Sequence, residues 1–270
     1  MFRVLVATML LTLLIPAGGG SPAAEAPTIL DAIVGPSGER GGEGAPEVST
    51  RELRKVLETG SAVVFDARSP REFASGHLPG ALNVAGKQGL PPSQYTSDIR
   101  EVERAVKGNK AQPIVLYCNG PYCGRSKRLA DDLLAAGYSN VRRYQLGMPV
   151  WRALGGVQEI ALEGLRDVSQ QDKTAVLLDA RGKTRIPGAR GLPIAEVRAA
   201  KDDGRLPMDD HHTRIIVVGA SGQEARAVAE GVARDAFDNV AYFAGDAATV
   251  EEALLATGAT GPNGSGIAED

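Results

Sequence analysis

Short apolar runs alternate with amphipathic stretches along most of the chain. The runs are four residues long and rich in Val, Ile and Leu, which is typical of strands buried on both faces. They lie at 62–65, 114–117, 175–178 and 215–218, and residues 140–144 are predicted to form a further short strand. Strands that alternate with helices predict an α/β fold in which each mostly parallel sheet is flanked by helices. Functional loops are then expected at the carboxyl ends of the strands.

Polar residues mark where the intervening helices begin. A Ser-x-x-Glu capping box opens the first two, at Ser49 and at Ser69, and Gly60 and Gly76 follow their ends. Further helices are predicted over 98–107 and over 125–136. The loop at 146–151 is predicted to lead into another helix, with Pro149 near its first turn.

The second half of the chain repeats the first. Residues 174–181 match 61–68 position for position, and 215–219 match 114–118. We therefore predict two tandem domains, at 47–156 and 157–259. Gly219 stands where the first copy has Cys118, and the copy's loop is predicted to be two residues shorter. A domain without the thiol cannot perform the same covalent chemistry.

The ends of the chain differ in composition from the domains. A positive start and an apolar run at 4–15 predict a signal peptide over 1–26, cleaved after Ala23 or Ala26. The run is too short to span a bilayer, so we expect no stable membrane insertion after cleavage, although an uncleaved anchor is the alternative. Flexible segments are predicted at 27–46 and 260–270. The mature protein is then periplasmic or secreted, where disulfides can persist.

Charge and aromatic content exclude one class of partner. The net charge is −3 and aromatic residues make up 4% of the chain. Without a basic stripe or stacking residues, a nucleic-acid partner is not expected.

The chemistry is predicted in the loop at 118–124, which holds both cysteines of the protein. It joins a predicted strand to a predicted helix, so backbone N–H groups converge at the helix N-terminus and stabilise an anion. We therefore expect Cys118 to have a depressed pKa and to act as the nucleophile, with Cys123 as the second catalytic residue. The residues predicted to bind substrate are Asn119, Gly120, Tyr122, Gly124, Arg125, Ser126 and Lys127.

Several roles stay open at this level. Cys123 could be a redox-active or resolving thiol, a structural disulfide partner or an alternative nucleophile. His77 is interpreted as a turn residue that bonds backbone, and 209–212 as a solvated loop, so no metal or cofactor is predicted. Phosphatase chemistry is disfavoured because Arg125 is one position too far from Cys118.

The motifs together resemble the rhodanese-like domain family. The resemblance rests on Asp66-Ala-Arg68, Gly76-His-Leu-Pro-Gly-Ala81, Tyr117-Cys118, Gly147 and Trp151, and the second half resembles a degenerate copy with Asp179-Ala-Arg181. It implies that Cys118 takes a sulfane sulfur as a persulfide and passes it to a thiol or cyanide. Asp66 and Arg68 are expected to support the loop.

This sequence departs from the family pattern in three respects. The loop is longer than the common form, and it carries a second cysteine. The active cysteine lies in the first of the two domains, whereas tandem enzymes of the family usually keep it in the C-terminal domain. The expected partners are a small sulfur donor, a thiol or cyanide acceptor and, as a further candidate, a redox partner protein. The alternative is a non-catalytic or redox-regulated binding module with a Cys118–Cys123 disulfide.

Overall fold

The structure is a computed structural model that describes residues 44–84 and 99–259. The predicted signal peptide at 1–26, most of the segment at 27–46, and the tail at 260–270 lie outside the described residues.

The first half of the chain forms a four-stranded parallel sheet in the order β2-β1-β3-β4. Both predicted capping boxes are present, at Ser49 and Ser69. In chain order the elements are α1 (Thr50–Thr59), β1 (Val63–Asp66), α2 (Pro70–Ser75), β2 (Leu82–Asn83), α3 (Ile99–Ala105), β3 (Ile114–Tyr117), α4 (Gly124–Ala135), β4 (Val141–Tyr144) and α5 (Gly147–Ala153).

The second half forms a five-stranded parallel sheet in the order β5-β9-β8-β6-β7. Its elements are β5 (Gln158–Ile160), α6 (Leu162–Gln171), β6 (Val176–Asp179), β7 (Arg190–Gly191), a 3-10 turn (Ile194–Glu196), β8 (Ile215–Val218), α7 (Gly222–Ala233), β9 (Val240–Phe243) and α8 (Ala247–Ala259). The predicted α/β class, with parallel sheets flanked by helices, is confirmed. Within the described ranges, no helix has the length and apolarity that crossing a bilayer requires.

The loop before the helix differs between the two halves by more than predicted. Residues 118–123 separate β3 from α4, whereas only 219–221 separate β8 from α7. The loop is therefore three residues shorter in the second half, and the predicted difference of two is wrong for the loop itself. The connection after the helix is one residue longer there, 234–239 against 136–140, which gives the net difference of two.

The side chains of β3 alternate between two cores. Ile114 and Leu116 pack with Leu129 and others beneath α4, while Val115 and Tyr117 pack in the cluster that includes Trp151. All four residues of the strand are buried. This explains the unbroken apolar run, because a strand covered on both faces has no polar side.

The two halves touch closely beside the first sheet. Helices α2 and α6 approach so tightly that a Cβ at Gly164 would lie 2.0 Å from the carbonyl oxygen of Ala74. The N–H of His77 donates to the carbonyl of Glu159 and the reverse bond is also present, both at 2.9 Å. The ring of His77 bonds the carbonyl of Phe73 at 2.8 Å, as expected for a residue that bonds backbone. The two halves are therefore joined by direct contacts as well as by the chain.

Candidate active site

The loop that follows β3 is held against the start of α5. The N–H of Met148 donates to the carbonyl of Cys118 at 3.2 Å. Gly147 lies beside it with a φ of +64°, and a Cβ there would come within 2.3 Å of both the Cys118 carbonyl oxygen and the Gly120 nitrogen. Only glycine fits this contact, so α5 fixes the path of the loop.

The two cysteines occupy different environments at the start of α4. Cys118 is only 2% exposed, and its thiol donates to the carbonyl of Cys123 at 3.2 Å and lies 3.2 Å from Ser126 Oγ. Cys123 is the N-cap residue of α4 and is partly exposed. Both thiols are free in the structure.

The surroundings of this pair favour the thiolate at Cys123. The neighbouring Cys118 side chain is the largest influence, and the N–H groups of Asn119 and Arg125 add to it, so the pKa of Cys123 falls to about 5. The sulfur makes no regular capping hydrogen bond, but these donors still favour its thiolate. Conversely, the neighbouring Cys123 side chain and burial raise the pKa of Cys118. The direction is therefore opposite to the depressed pKa that the sequence predicts for Cys118.

The reactivity of Cys123 should report this arrangement. In wild type the rate of Cys123 alkylation by iodoacetamide is expected to rise with pH through an inflection near 5, since the thiolate forms there. Cys118→Ala removes the side chain with the largest influence on this pKa, and the inflection should move upward by about 1–2 pH units. Site-resolved mass spectrometry of the alkylated peptides measures this.

Cys118→Ser is the matched control for that experiment. Its hydroxyl can still donate a hydrogen bond, so its inflection should stay closer to that of wild type. An inflection that is unchanged in Cys118→Ala, or a wild-type inflection near the ordinary cysteine value of about 8.5, would contradict the assignment.

Glu72 links α2 to the active loop. Its carboxylate accepts hydrogen bonds from the side chains of Asn119 and Arg125, the latter at 3.0 Å. Burial alone would raise the pKa of Glu72, but the bonds from Ser69, Asn119 and Arg125 lower it to about 2. The sequence indicated Glu72 as a capping residue, and in the structure it also holds the loop.

The other predicted binding residues divide into those at the sulfurs and those on the surface. Ser126 is buried against Cys118, and Gly120 shapes the loop with a φ of +112°. Lys127 pairs with Asp131 at 2.8 Å on the exposed side of α4, and Tyr122 is fully exposed at the loop tip. The sequence predicts that Lys127 binds substrate at this loop, but the structure pairs its side chain with Asp131, away from the thiols. Gly124 is the first residue of α4.

Asp66 and Arg68 form a buried ion pair under the loop. Nη2 of Arg68 lies 2.6 Å from Asp66 Oδ2 and also donates to the carbonyl of Gly76 at 2.7 Å. The hydroxyl of Tyr117 donates to the same carboxylate at 2.7 Å and accepts from the N–H of Leu78. The pair thus ties β1, β3 and the turn after α2 together.

The second half fills the equivalent position with a carboxylate. Glu224 Oε2 accepts from the N–H of Ala220 at 2.6 Å, and a Cβ at Gly219 would lie 2.9 Å from that same oxygen. The N–H of Ala247 donates to the carbonyl of Gly219, as Met148 does to Cys118. The scaffold is therefore repeated, with a fixed anion near the place of the thiols.

A metal centre finds no support in the described part of the chain. No group of three or more His, Cys, Asp or Glu side chains in residues 44–84 and 99–259 could hold an ion. In the 209–212 segment, Nδ1 of His212 pairs with Asp238 at 2.9 Å and His211 stacks on Phe237.

Comparisons with known proteins place the site in a family context. The family model described as Rhodanese-like domain matches residues 49–154. Thiosulfate:glutathione sulfurtransferase of Homo sapiens is 56% identical over 117 residues, which are 40% of this chain and 94% of that protein. The protein of the same name from Saccharomyces cerevisiae is 29% identical over 100 residues, which are 36% of this chain and 68% of that protein.

A third relative shares only part of its length with this chain. The HTH-type transcriptional regulator Rv0324 of Mycobacterium tuberculosis is 32% identical over 117 residues, which are 42% of this chain and 45% of that regulator. The similarity therefore concerns less than half of the regulator.

Proposed function

We propose, from the premise that this chain belongs to the rhodanese-like domain family, that it is a sulfurtransferase working through a cysteine persulfide. The donor is a small sulfane-sulfur anion such as thiosulfate, and the acceptor is a thiol, such as the glutathione in the relatives' names, or cyanide. The observation that carries the proposal is the partly exposed Cys123 at the start of α4, where the N–H groups of Asn119 and Arg125 favour its thiolate.

In the first step the Cys123 thiolate takes the sulfur. It attacks the outer sulfur of thiosulfate, the sulfur–sulfur bond of the donor breaks, and sulfite leaves with the bonding electron pair. The charge moves to the terminal sulfur of the new persulfide. The N–H groups of Asn119 and Arg125 and the Arg125 guanidinium stand nearby to stabilise that charge without rearrangement.

In the second step the acceptor removes the sulfur. An acceptor thiolate attacks the terminal sulfur, the bond to the Cys123 sulfur breaks, and Cys123 regains its thiolate while the acceptor leaves as a persulfide. Cyanide leaves as thiocyanate by the same displacement. Cys118, whose pKa is raised by its neighbour and by burial, keeps its proton throughout.

Intact-mass measurement after incubation of the reduced protein with thiosulfate tests the proposal. Wild type and Cys118→Ser are expected to gain one sulfur atom, and Cys123→Ser is expected to gain none. The same masses report whether residues 1–26 have been removed, as the proposed export requires.

The outcomes separate the function from the residue assignment. Loading of Cys123→Ser but not of Cys118→Ser would make Cys118 the carrier and leave the function standing. A wild type that neither gains sulfur nor forms thiocyanate from thiosulfate and cyanide would overturn the function.

A redox-regulated module is the second candidate, and the contact between the two thiols favours it. One ionised and one protonated sulfur side by side are the arrangement of an attacking and a resolving thiol. Cys118 could attack the Cys123 sulfur of the persulfide, forming a disulfide and releasing hydrosulfide that carries the Cys118 proton. An external dithiol would then have to reduce the disulfide. A product two hydrogens lighter than the dithiol would identify this branch.

We further propose that the chain is an exported tandem of two rhodanese-like domains, at 47–156 and 157–259. The support is the sequence repeat and the recurrence of the Asp-Ala-Arg ion pair, which Asp179 and Arg181 form at 2.7 Å in the second copy. The second domain has no thiol at Gly219, so its role in catalysis has to come through contacts with the first.

A further inference from the structure

A cleft of about 350 Å³ lies between the two domains, directly beside the active loop. Asn119 of the loop lines it, together with Glu72, and so do four arginines, which are Arg68, Arg71, Arg152 and Arg214. This volume equals that of roughly ten water molecules in the liquid. It is far more than thiosulfate needs, and it falls in the range of small-molecule sites.

Neighbouring carboxylates neutralise only part of the positive charge in the cleft. Arg68 is paired with Asp66, and the carboxylate of Glu72 is held by Asn119 and Arg125. Arg152 and Arg214 instead donate to neutral carbonyl groups, of Asp238 at 2.9 Å and of Ser75 at 3.4 Å. Such bonds orient a guanidinium but leave its charge in place.

The two arginines come from different domains and repel each other. Arg152 lies on α5 of the first domain, and Arg214 directly precedes β8 of the second. Burial lowers the pKa of Arg214, the charge of Arg152 lowers it further, and Asp172 only partly offsets this. A bound anion would relieve the repulsion, and the planar fork of a guanidinium matches a carboxylate.

We propose that this cleft binds the carboxylate groups of a peptide-sized thiol acceptor, with Arg214 of the second domain supplying one of the cations. The inference rests on the proposed sulfur transfer and assigns the acceptor a place in it. The side chain of Asn119 lines the cleft while its N–H favours the Cys123 thiolate, so an acceptor anchored there holds its thiol beside the loop. The thiol-free domain thereby gains a part in substrate recognition.

Calorimetric binding of S-methylglutathione, which has both carboxylates but no reactive thiol, tests the cleft without turnover. Its Kd is expected to rise about tenfold or more in Arg214→Gln and to stay within about twofold in Arg198→Gln. Arg198 is exposed on the same domain, so the control makes the same charge change outside the cleft. Arg214→Gln removes a half-buried charge that faces a like charge, and its Tm should not fall.

Steady-state kinetics then separate the cleft from the sulfur chemistry. In Arg214→Gln the KM for glutathione should rise about tenfold, while the KM for 2-mercaptoethanol and the rate of sulfur loading from thiosulfate should stay within about twofold. Equal losses for both thiols, slower loading from thiosulfate, or unchanged binding of S-methylglutathione would each overturn the inference. If S-methylglutathione binds as expected but no sulfur is transferred, the proposed function fails while the binding site stands.

Discussion

Replacing Asp66 with alanine is expected to lower the free energy of unfolding by about 3–5 kcal/mol. Asp66 is fully buried, and its carboxylate accepts from the guanidinium and backbone N–H of Arg68 and from the Tyr117 hydroxyl. Its removal leaves a buried guanidinium without its counter-charge and a buried hydroxyl without its acceptor. Urea denaturation at neutral pH, followed by circular dichroism, measures the loss.

The second copy supplies the matched control for this variant. Arg181 is paired with Asp179 in the same way, but it also contacts Glu251 at 2.5 Å and its side chain is 28% exposed. Asp179→Ala leaves that arginine a second carboxylate and access to water, so its loss should be clearly smaller. Equal losses in the two variants, or a loss below about 1 kcal/mol for Asp66→Ala, would show that burial of the first pair is not what makes it costly to break.

Replacing Gly147 with valine is expected to lower the rate of sulfur transfer by at least about 100-fold, because displaced reacting groups cost that much. The added side chain cannot fit 2.3 Å from the Cys118 carbonyl oxygen and the Gly120 nitrogen, so the loop must move. Stability should also fall, by about 1–3 kcal/mol from the strained backbone and the overlap. Thiocyanate formation and thermal unfolding measure the two effects.

Gly155→Val is the control that separates backbone strain from the close contact between Gly147 and the active loop. Gly155 has a φ of +72°, close to that of Gly147, but a Cβ there would meet no heavy atom within 4 Å. This control carries the backbone strain without the collision, and we expect it to keep most of its activity. If both variants lose activity to the same extent, the close approach of α5 to the loop does not govern catalysis.

Local chemistry made much of the fold predictable from the sequence. Each capping box and each apolar run specifies its own element without reference to distant residues, which is why the helices at Ser49 and Ser69 and the strand at 114–117 were found where predicted. The repeat predicted that the second half would build another parallel sheet. The repeat alone could not give the exact loop length. In the second half the loop before the helix is three residues shorter and the connection after the helix is one residue longer, so the repeat shows only the net difference of two.

The assignment of charge to Cys118 failed although the sequence held a signal against it. Cys118 continues the alternation of Ile114 and Leu116, so its side chain points into the core beneath α4. Lys127 is a similar case. The buried face of α4 repeats at Ser126, Leu129, Ala130 and Leu133, and Lys127 with Asp131 falls outside it.

The cleft could not have been predicted in the same way. Arg152 and Arg214 are far apart in the sequence and line one cleft because the two halves of the chain pack together, with α2 against α6. No local pattern reports the relative placement of two domains. Residues that act across such a boundary therefore need a structure to be found.

The carboxylate of Glu224 has a consequence for a thiol introduced into the second half. A cysteine placed at position 219 would set its first side-chain atom 2.9 Å from Oε2 of Glu224, so its sulfur would lie close to a carboxylate. Such a charge disfavours the thiolate on which sulfur chemistry depends. A thiol at position 219 would therefore meet both this carboxylate and a loop three residues shorter than the one in the first half.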